Sequence, residues 1–213
     1  MCIRDSVDHA LTSLALAAKY IMITTSLALL LAFQRPAVLP RPFAPSPLLR
    51  RSPLRVSMVA PMPLPAGSLV ALVTPMTESG AVDIPTLREL LQWHKAEGTD
   101  GVVILGTTGE ASVLSAEERG EVMAAAREEV GGVMPIIVGT GTISTQATIA
   151  ATKQAKLFGA DAALIVTPYY VKPTQGGLLN HFTQIADAVE LPIVLYNVPG
   201  RTGVDLLPET VAR

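Results

Sequence analysis

The chain has 213 residues, of which 49% are hydrophobic, 16% charged and 4% aromatic, with a formal net charge of −2. That apolar share excludes a disordered chain, and the near-neutral charge argues against nucleic acid as a partner. A single cysteine, Cys2, excludes a disulfide framework and any thiolate-rich metal site. His9, His94 and His181 lie far apart with no HxxxH spacing, which argues against a histidine metal site.

Charge is distributed unevenly. Residues 1–65 carry seven Lys/Arg against two Asp/Glu, whereas residues 66–213 carry nine against sixteen. No acidic residue falls between Asp8 and Glu78, and nine of the seventeen prolines lie between Pro36 and Pro65. Residues 20–33, YIMITTSLALLLAF, form an uncharged apolar run too short to span a bilayer and of the length of a signal-peptide core. The Arg-, Pro- and Ser-rich stretch that follows is acid-free, as a transit peptide is. A signal-like stretch, Phe33 and then a basic stretch resemble the two-part leader that directs proteins to secondary plastids. Residues 1–65 therefore read as a disordered targeting leader in preference to a basic linker behind a membrane anchor. Cleavage is expected near Ser57–Ala60, releasing a stromal chain with no membrane attachment. The first six residues, MCIRDS, resemble a reading frame of a common sequencing adapter, which would make Met22 the native start.

From Ser68 onward, apolar β-rich runs alternate with helical patterns. Strands are predicted at Leu69–Thr74, Val102–Leu105, Ile136–Gly139, Ala163–Thr167 and Ile193–Tyr196. Helices are predicted at Ile84–Glu97, Ala116–Val130, Thr145–Phe158 and Leu178–Val189. Continuous apolar strands suit a parallel sheet buried on both faces. In the first helix Leu87, Leu90, Leu91 and His94 share a stripe, with Arg88, Glu89 and Lys95 toward water. Ser115 and Glu118 form a capping-box start, and Gly131-Gly132 a stop. Strand starts recur about every thirty residues, one βα unit each. This pattern fits either a doubly wound sheet or a (β/α)8 TIM barrel truncated after about five βα units, since a barrel needs ~250 residues.

Chemistry in such folds gathers at the carboxyl ends of strands. Three strands end in polar clusters, VVILGTTGE, ALIVTPYY and PIVLYNVPGRTG, which hold three of the four tyrosines. GTTGE lacks both the Lys-Ser/Thr of a Walker loop and the spacing of GxGxxG, so it reads as a simple turn or as a carboxylate-binding turn using the Thr107 and Thr108 hydroxyls. Tyr169 and Tyr170 are packing aromatics or site residues. Tyr196 either caps the mouth or handles protons. Arg201, on a Gly-flanked loop, is solvated or holds a substrate carboxylate. Glu110 reads as an anchor for its turn, and His94 and His181 as helix residues with local partners.

GTTGE, TPYY and YNVPGRTG, in this order and spacing, together with ALVTPM and LLPETVAR, resemble the dihydrodipicolinate synthase family of pyruvate-dependent, Schiff-base aldolases. The resemblance covers roughly Gly67–Arg213 and implies the barrel fold. It implies condensation of pyruvate with L-aspartate semialdehyde to 4-hydroxy-tetrahydrodipicolinate, on the route to lysine. A lysine amine and pyruvate form an imine with loss of water; the imine loses a methyl proton, and the enamine carbon attacks the aldehyde. By motif, Tyr196 would be the general acid/base, Thr107 its link to Tyr170, Thr108 the holder of the pyruvate carboxylate and Arg201 of the semialdehyde carboxylate. Tyr170 would reach in from a neighbouring subunit, so a homodimer or homotetramer is implied, with no metal or organic cofactor.

The family's imine lysine lies on a sixth strand, past Arg213, and no residue from Val204 to Thr210 is a lysine. The chain alone is therefore expected to be inactive. Members inhibited by lysine use an Asn and a Glu four residues apart, positions held here by Ile143 and Ala147, beside an aromatic matching Tyr169. The competing readings are a sister aldolase for N-acetylneuraminate or 2-keto-3-deoxy sugar acids, and a non-catalytic short form that binds a full-length subunit. Arg201 favours the synthase, because an aldehyde with its own carboxylate needs a cation.

Overall fold

The computed structural model describes Leu64 and residues 67–213. Apart from Leu64, the expected leader, with its start at Met22 and its cleavage region, lies outside the described residues. Strands β1 (Leu69–Ala71), β2 (Gly101–Ile104), β3 (Ile136–Gly139), β4 (Ala162–Val166) and β5 (Ile193–Tyr196) alternate with helices α1 (Ile84–Ala96), α2 (Ala116–Val130), α3 (Thr145–Leu157) and α4 (Gln175–Ala188). Two short helices, α5 (Pro199–Thr202) and α6 (Pro208–Val211), follow β5. All ladders are parallel and run in the order β1-β2-β3-β4-β5.

That order decides between the two architectures. A doubly wound sheet reverses strand order at a switch point and puts helices on both faces. Here the order never reverses. Val102, Ile104, Ile136, Val138, Ala163 and Ile165 share one core with Leu87, Leu91, Val122, Ile149, Leu178 and Ile185 of the helices. Ile137 and Ala162, which alternate with those strand residues, are buried but fall outside that core. The helices thus cover one face and the other lines a barrel interior. This is five units of a TIM barrel.

Several boundaries differ from expectation for local reasons. Strand β1 ends at Ala71 instead of Thr74, although Leu72 N still donates to Val103 O at 2.9 Å before the chain turns away. Strand β2 ends at Ile104 because Leu105 adopts φ 54. Helix α4 begins at Gln175, three residues before Leu178, since Thr174 Oγ1 caps it by accepting from Gly177 N at 3.2 Å. Arg88 does not simply face water. Half-buried, it bonds Glu128 and, at 2.6 Å, Glu129 on α2, while Gln92 Nε2 donates to Glu129 at 2.9 Å. The Gln92 and Arg88 hydrogen bonds hold the Glu129 carboxyl below its ordinary pKa. The expected capping box is present, with Glu118 N donating to Ser115 Oγ at 3.2 Å and Ser115 N to Glu118 Oε2 at 2.8 Å.

Both helical histidines have partners, local for His94 but 36 residues away for His181. His94 Nδ1 meets Thr99 Oγ1 at 2.9 Å, and His181 Nδ1 meets Thr145 Oγ1 at 2.9 Å across α4 and α3. His181 Nε2 is buried with no hydrogen-bond partner among the described residues, and burial lowers the pKa of this ring from 6.5. The folded state therefore keeps His181 neutral where the unfolded chain takes up a proton. Stability is present in full above about pH 6.5 and falls as the pH drops below it. The melting temperature should decrease from about pH 7.5 to about pH 5.5, and less steeply in His181→Gln. Equal slopes in the two proteins would contradict this.

Candidate active site

The three polar motifs meet at the carboxyl end of the sheet, and each is placed by backbone contacts. After β2, Gly106 turns over the barrel interior, where an added Cβ would lie 3.8 Å from Val103 Cγ1 and 4.0 Å from Leu164 Cδ2. Gly109 presses against the end of β1, and Thr74 Oγ1 donates to its carbonyl at 2.7 Å. Glu110 N closes the turn on Thr107 O at 3.2 Å. The Glu110 carboxylate, expected to anchor the turn, makes no hydrogen bond or ion pair among the described residues; backbone and Thr74 do that work. Thr107 and Thr108 are exposed at the tip, their hydroxyls unpartnered within the described residues.

Tyr196 ends β5 opposite Val166 of β4, on the interior face, and is half-buried. Its carbonyl accepts from Thr167 N at 3.0 Å, locking the ends of β4 and β5 together. Pro168 is buried, Tyr169 is partly exposed and Tyr170 is 88% exposed, with its N–H donating to Thr202 O at 3.2 Å. The structure brings Tyr170 backbone to the Arg201 loop, but no hydrogen bond joins the hydroxyls of Tyr196, Thr107 and Tyr170 among the described residues. Arg201 sits on α5, exposed and without an acidic partner there. Its loop is closed by Thr202 Oγ1, which donates to Val204 O at 2.9 Å, and by Gly203 at φ 72.

Four non-glycine residues have positive φ among the described ones: Leu105, Glu110, Tyr170 and Lys172, at 54°, 53°, 69° and 46°. All four lie on the loops carrying Thr107–Thr108 and Tyr170. Left-handed backbone costs such residues roughly 1–2 kcal/mol each, and that strain is held where side chains must be aimed. Sequence reasoning had no signal for it, because none of the four is a glycine or an asparagine. Among the described residues no lysine ends a strand: Lys95, Lys153 and Lys156 are on helices, and Lys172, on the loop after β4, lies beside Gly203. Among the described residues no cluster of His, Cys, Asp and Glu could hold a metal ion.

A consecutive parallel barrel whose carboxyl mouth carries a Thr-Thr turn, a strand-end Tyr and a free Arg defines an α/β-barrel protein of the aldolase type. The chain belongs to the dihydrodipicolinate synthetase family, whose model matches residues 64–213. It is 58% identical over 147 residues to a 4-hydroxy-tetrahydrodipicolinate synthase of Coxiella burnetii, covering 69% of this chain and 51% of that protein. It is 54% identical over 147 residues to the synthase of Methylibium petroleiphilum, covering 69% of this chain and 50% of that one. Among solved structures, the chloride-inhibited dihydrodipicolinate synthase from Acinetobacter baumannii, complexed with pyruvate, is 56% identical with a TM-score of 0.68, covering 69% of this chain and 50% of that one. The enzyme from Cyanidioschyzon merolae, with lysine bound, is 39% identical with a TM-score of 0.65, covering 68% of this chain and 50% of that one. The chain spans about half the length of the curated relatives it matches.

Proposed function

We propose that these residues form the first five βα units of an enzyme that condenses pyruvate with L-aspartate semialdehyde, giving 4-hydroxy-tetrahydrodipicolinate. The observation that carries this reading is the gathering of GTTGE, TPYY and YNVPGRTG at one end of the sheet, in a chain 58% identical to a protein of that name. Thr108 binds the pyruvate carboxylate and Arg201 that of the semialdehyde, each with donors left free for it. Tyr196 moves the proton, with Thr107 and a partner copy's Tyr170 completing the relay. The exposure of Tyr170 suits such a contribution between subunits of a dimer or tetramer. The imine lysine belongs to the second half of the barrel. Borohydride with pyruvate should trap one adduct in a full-length protein carrying residues 67–213, and none in residues 67–213 alone. Turnover should follow with aspartate semialdehyde and not with N-acetylmannosamine; an adduct on the 67–213 chain, or the reverse preference, would overturn the assignment.

The same reading covers control and location. Ile143 is 48% exposed and Ala147 is exposed at the first turn of α3, so neither offers a carboxylate to an ammonium group. An ammonium drawn from water without one loses what would offset its desolvation, and the Tyr169 ring supplies only about 0.5–2 kcal/mol. The full-length protein should keep its activity at lysine concentrations that saturate a lysine-bound relative. Strong, saturable inhibition would refute this. Residues 1–65 are proposed as the plastid leader, supported by their acid-free, proline-rich composition and by a family match that begins at residue 64. A fluorescent protein fused behind residue 65 should enter plastids.

A further inference from the structure

The loop that carries Arg201 is held by two amide side chains outside the motif residues given roles above. Asn197, next to Tyr196, closes the base of this loop. Its Nδ2 donates to Asp205 Oδ1 at 2.7 Å and to Leu206 O at 3.3 Å, and its Oδ1 accepts from Leu206 N at 3.1 Å. Gln175, the first residue of α4, grips the same segment from the other side. Its Nε2 donates to Asp205 O at 2.7 Å, and its Oε1 accepts from Leu207 N at 3.2 Å and Thr210 Oγ1 at 2.6 Å. Gln175 also follows directly on the loop of residues 167–174, whose Tyr170 donates through its N–H to Thr202 O. Both amides use donor and acceptor at once, so no isosteric acid can replace either without losing a bond.

We infer that Asn197 and Gln175 are positioning residues that set Arg201 in register with Tyr170 and Tyr196, so that binding of the aldehyde's carboxylate depends on them while imine formation with pyruvate does not. The inference rests on the proposed condensation and adds to it the specificity frame. A charge-assisted contact to a carboxylate needs its fork aimed, and a loop of eight residues between Asn197 and Leu206 has the freedom to lose that aim once its base opens. The Asn197–Asp205 pair offers a clean lever. In Asn197→Asp two carboxylates face each other at hydrogen-bond distance and repel. In the exchanged pair Asn197→Asp/Asp205→Asn, the new amide donates back to the new acid, restoring the 197–205 bond and the net charge, with only the longer donation to Leu206 O lost.

The test uses the full-length protein carrying these residues, with three readouts: borohydride trapping of pyruvate, steady-state constants for aspartate semialdehyde, and hydrogen exchange of amides 198–206. Asn197→Asp is expected to raise the KM for the aldehyde about tenfold, with pyruvate trapping unchanged and faster exchange in the loop. The effect should relax at low pH, where the pair shares a proton, and the exchanged pair should return KM to within about twofold of the parent. An unchanged KM and exchange in Asn197→Asp, or no rescue in the exchanged pair, would overturn the inference. Should Asn197→Asp not fold, Gln175→Met carries the same test from the other side of the loop, and an unchanged KM there overturns it equally. If the parent protein traps no pyruvate, the condensation reading fails, and loop exchange in the two variants alone decides whether the amides hold the loop.

Discussion

Tyr196→Phe in the full-length protein is expected to lower turnover about 10²–10⁴-fold while borohydride still traps the pyruvate imine. The ring is fixed by its place at the end of β5, opposite Val166, and by the tie between its carbonyl and Thr167 N. Phenylalanine keeps that packing and removes only the hydroxyl, which has no partner among the described residues and so no structural bond to lose. The loss therefore falls on the proton transfers after imine formation, and kcat and kcat/KM should drop together. A single-turnover measurement separates the steps: the condensation should slow much more than imine formation does. Unchanged turnover would remove Tyr196 from the relay.

Gly139→Ala should be the most damaging single-methyl change at the site, lowering stability by at least about 3 kcal/mol. A Cβ there would stand 1.9 Å from Leu105 O and 2.6 Å from Leu105 C. Both atoms are backbone, at the residue whose φ of 54 launches the Thr107–Thr108 turn. No rotamer relieves the overlap, so β2 or β3 must shift and carry the turn with it. Chemical denaturation should show the fall, and any folded remainder should bind pyruvate weakly. By contrast Gly176→Ala, where an added Cβ meets nothing within 4 Å, should leave stability within about 0.5 kcal/mol or improve it. Equal stability in Gly139→Ala and the parent would mean that Leu105 does not need its strained conformation.

Period and punctuation were enough to locate the repeating units. Strands β3 and β5 and helix α2 fall where their apolar runs and caps place them, because each is bounded by a glycine, a proline or a capping box. The start of α4 was not legible: Gly176 and Gly177 look like a break, and only the Thr174 cap shows that they are its first turn. Barrel and doubly wound sheet share one alternation, so the choice lay in strand order, which no local pattern encodes. The site divided in the same way. Polar residues after apolar strands marked Thr107, Thr108, Tyr196 and Arg201 as strand-end residues, and they lie at the carboxyl end of the sheet. The frame around them was hidden, since Asn197 and Gln175 act through partners 8 to 35 positions away. Arg88 illustrates the same limit, its acids lying 40 and 41 residues further on.

The unbroken strand order also bears on how the polypeptide is made. Each strand pairs only with the one synthesised just before or just after it. No ladder in residues 67–213 waits for a distant segment, so every βα unit can dock as it leaves the ribosome, with short loops to close. The outer edge of β1 is the exception. This strand is the first of the five to be produced and, among the described residues, its outer edge stays without a strand partner through all five units, a template for mispairing during the whole of that interval. A chaperone that shields one newly made strand edge, acting early in translation, would therefore protect this protein more than one that acts after release.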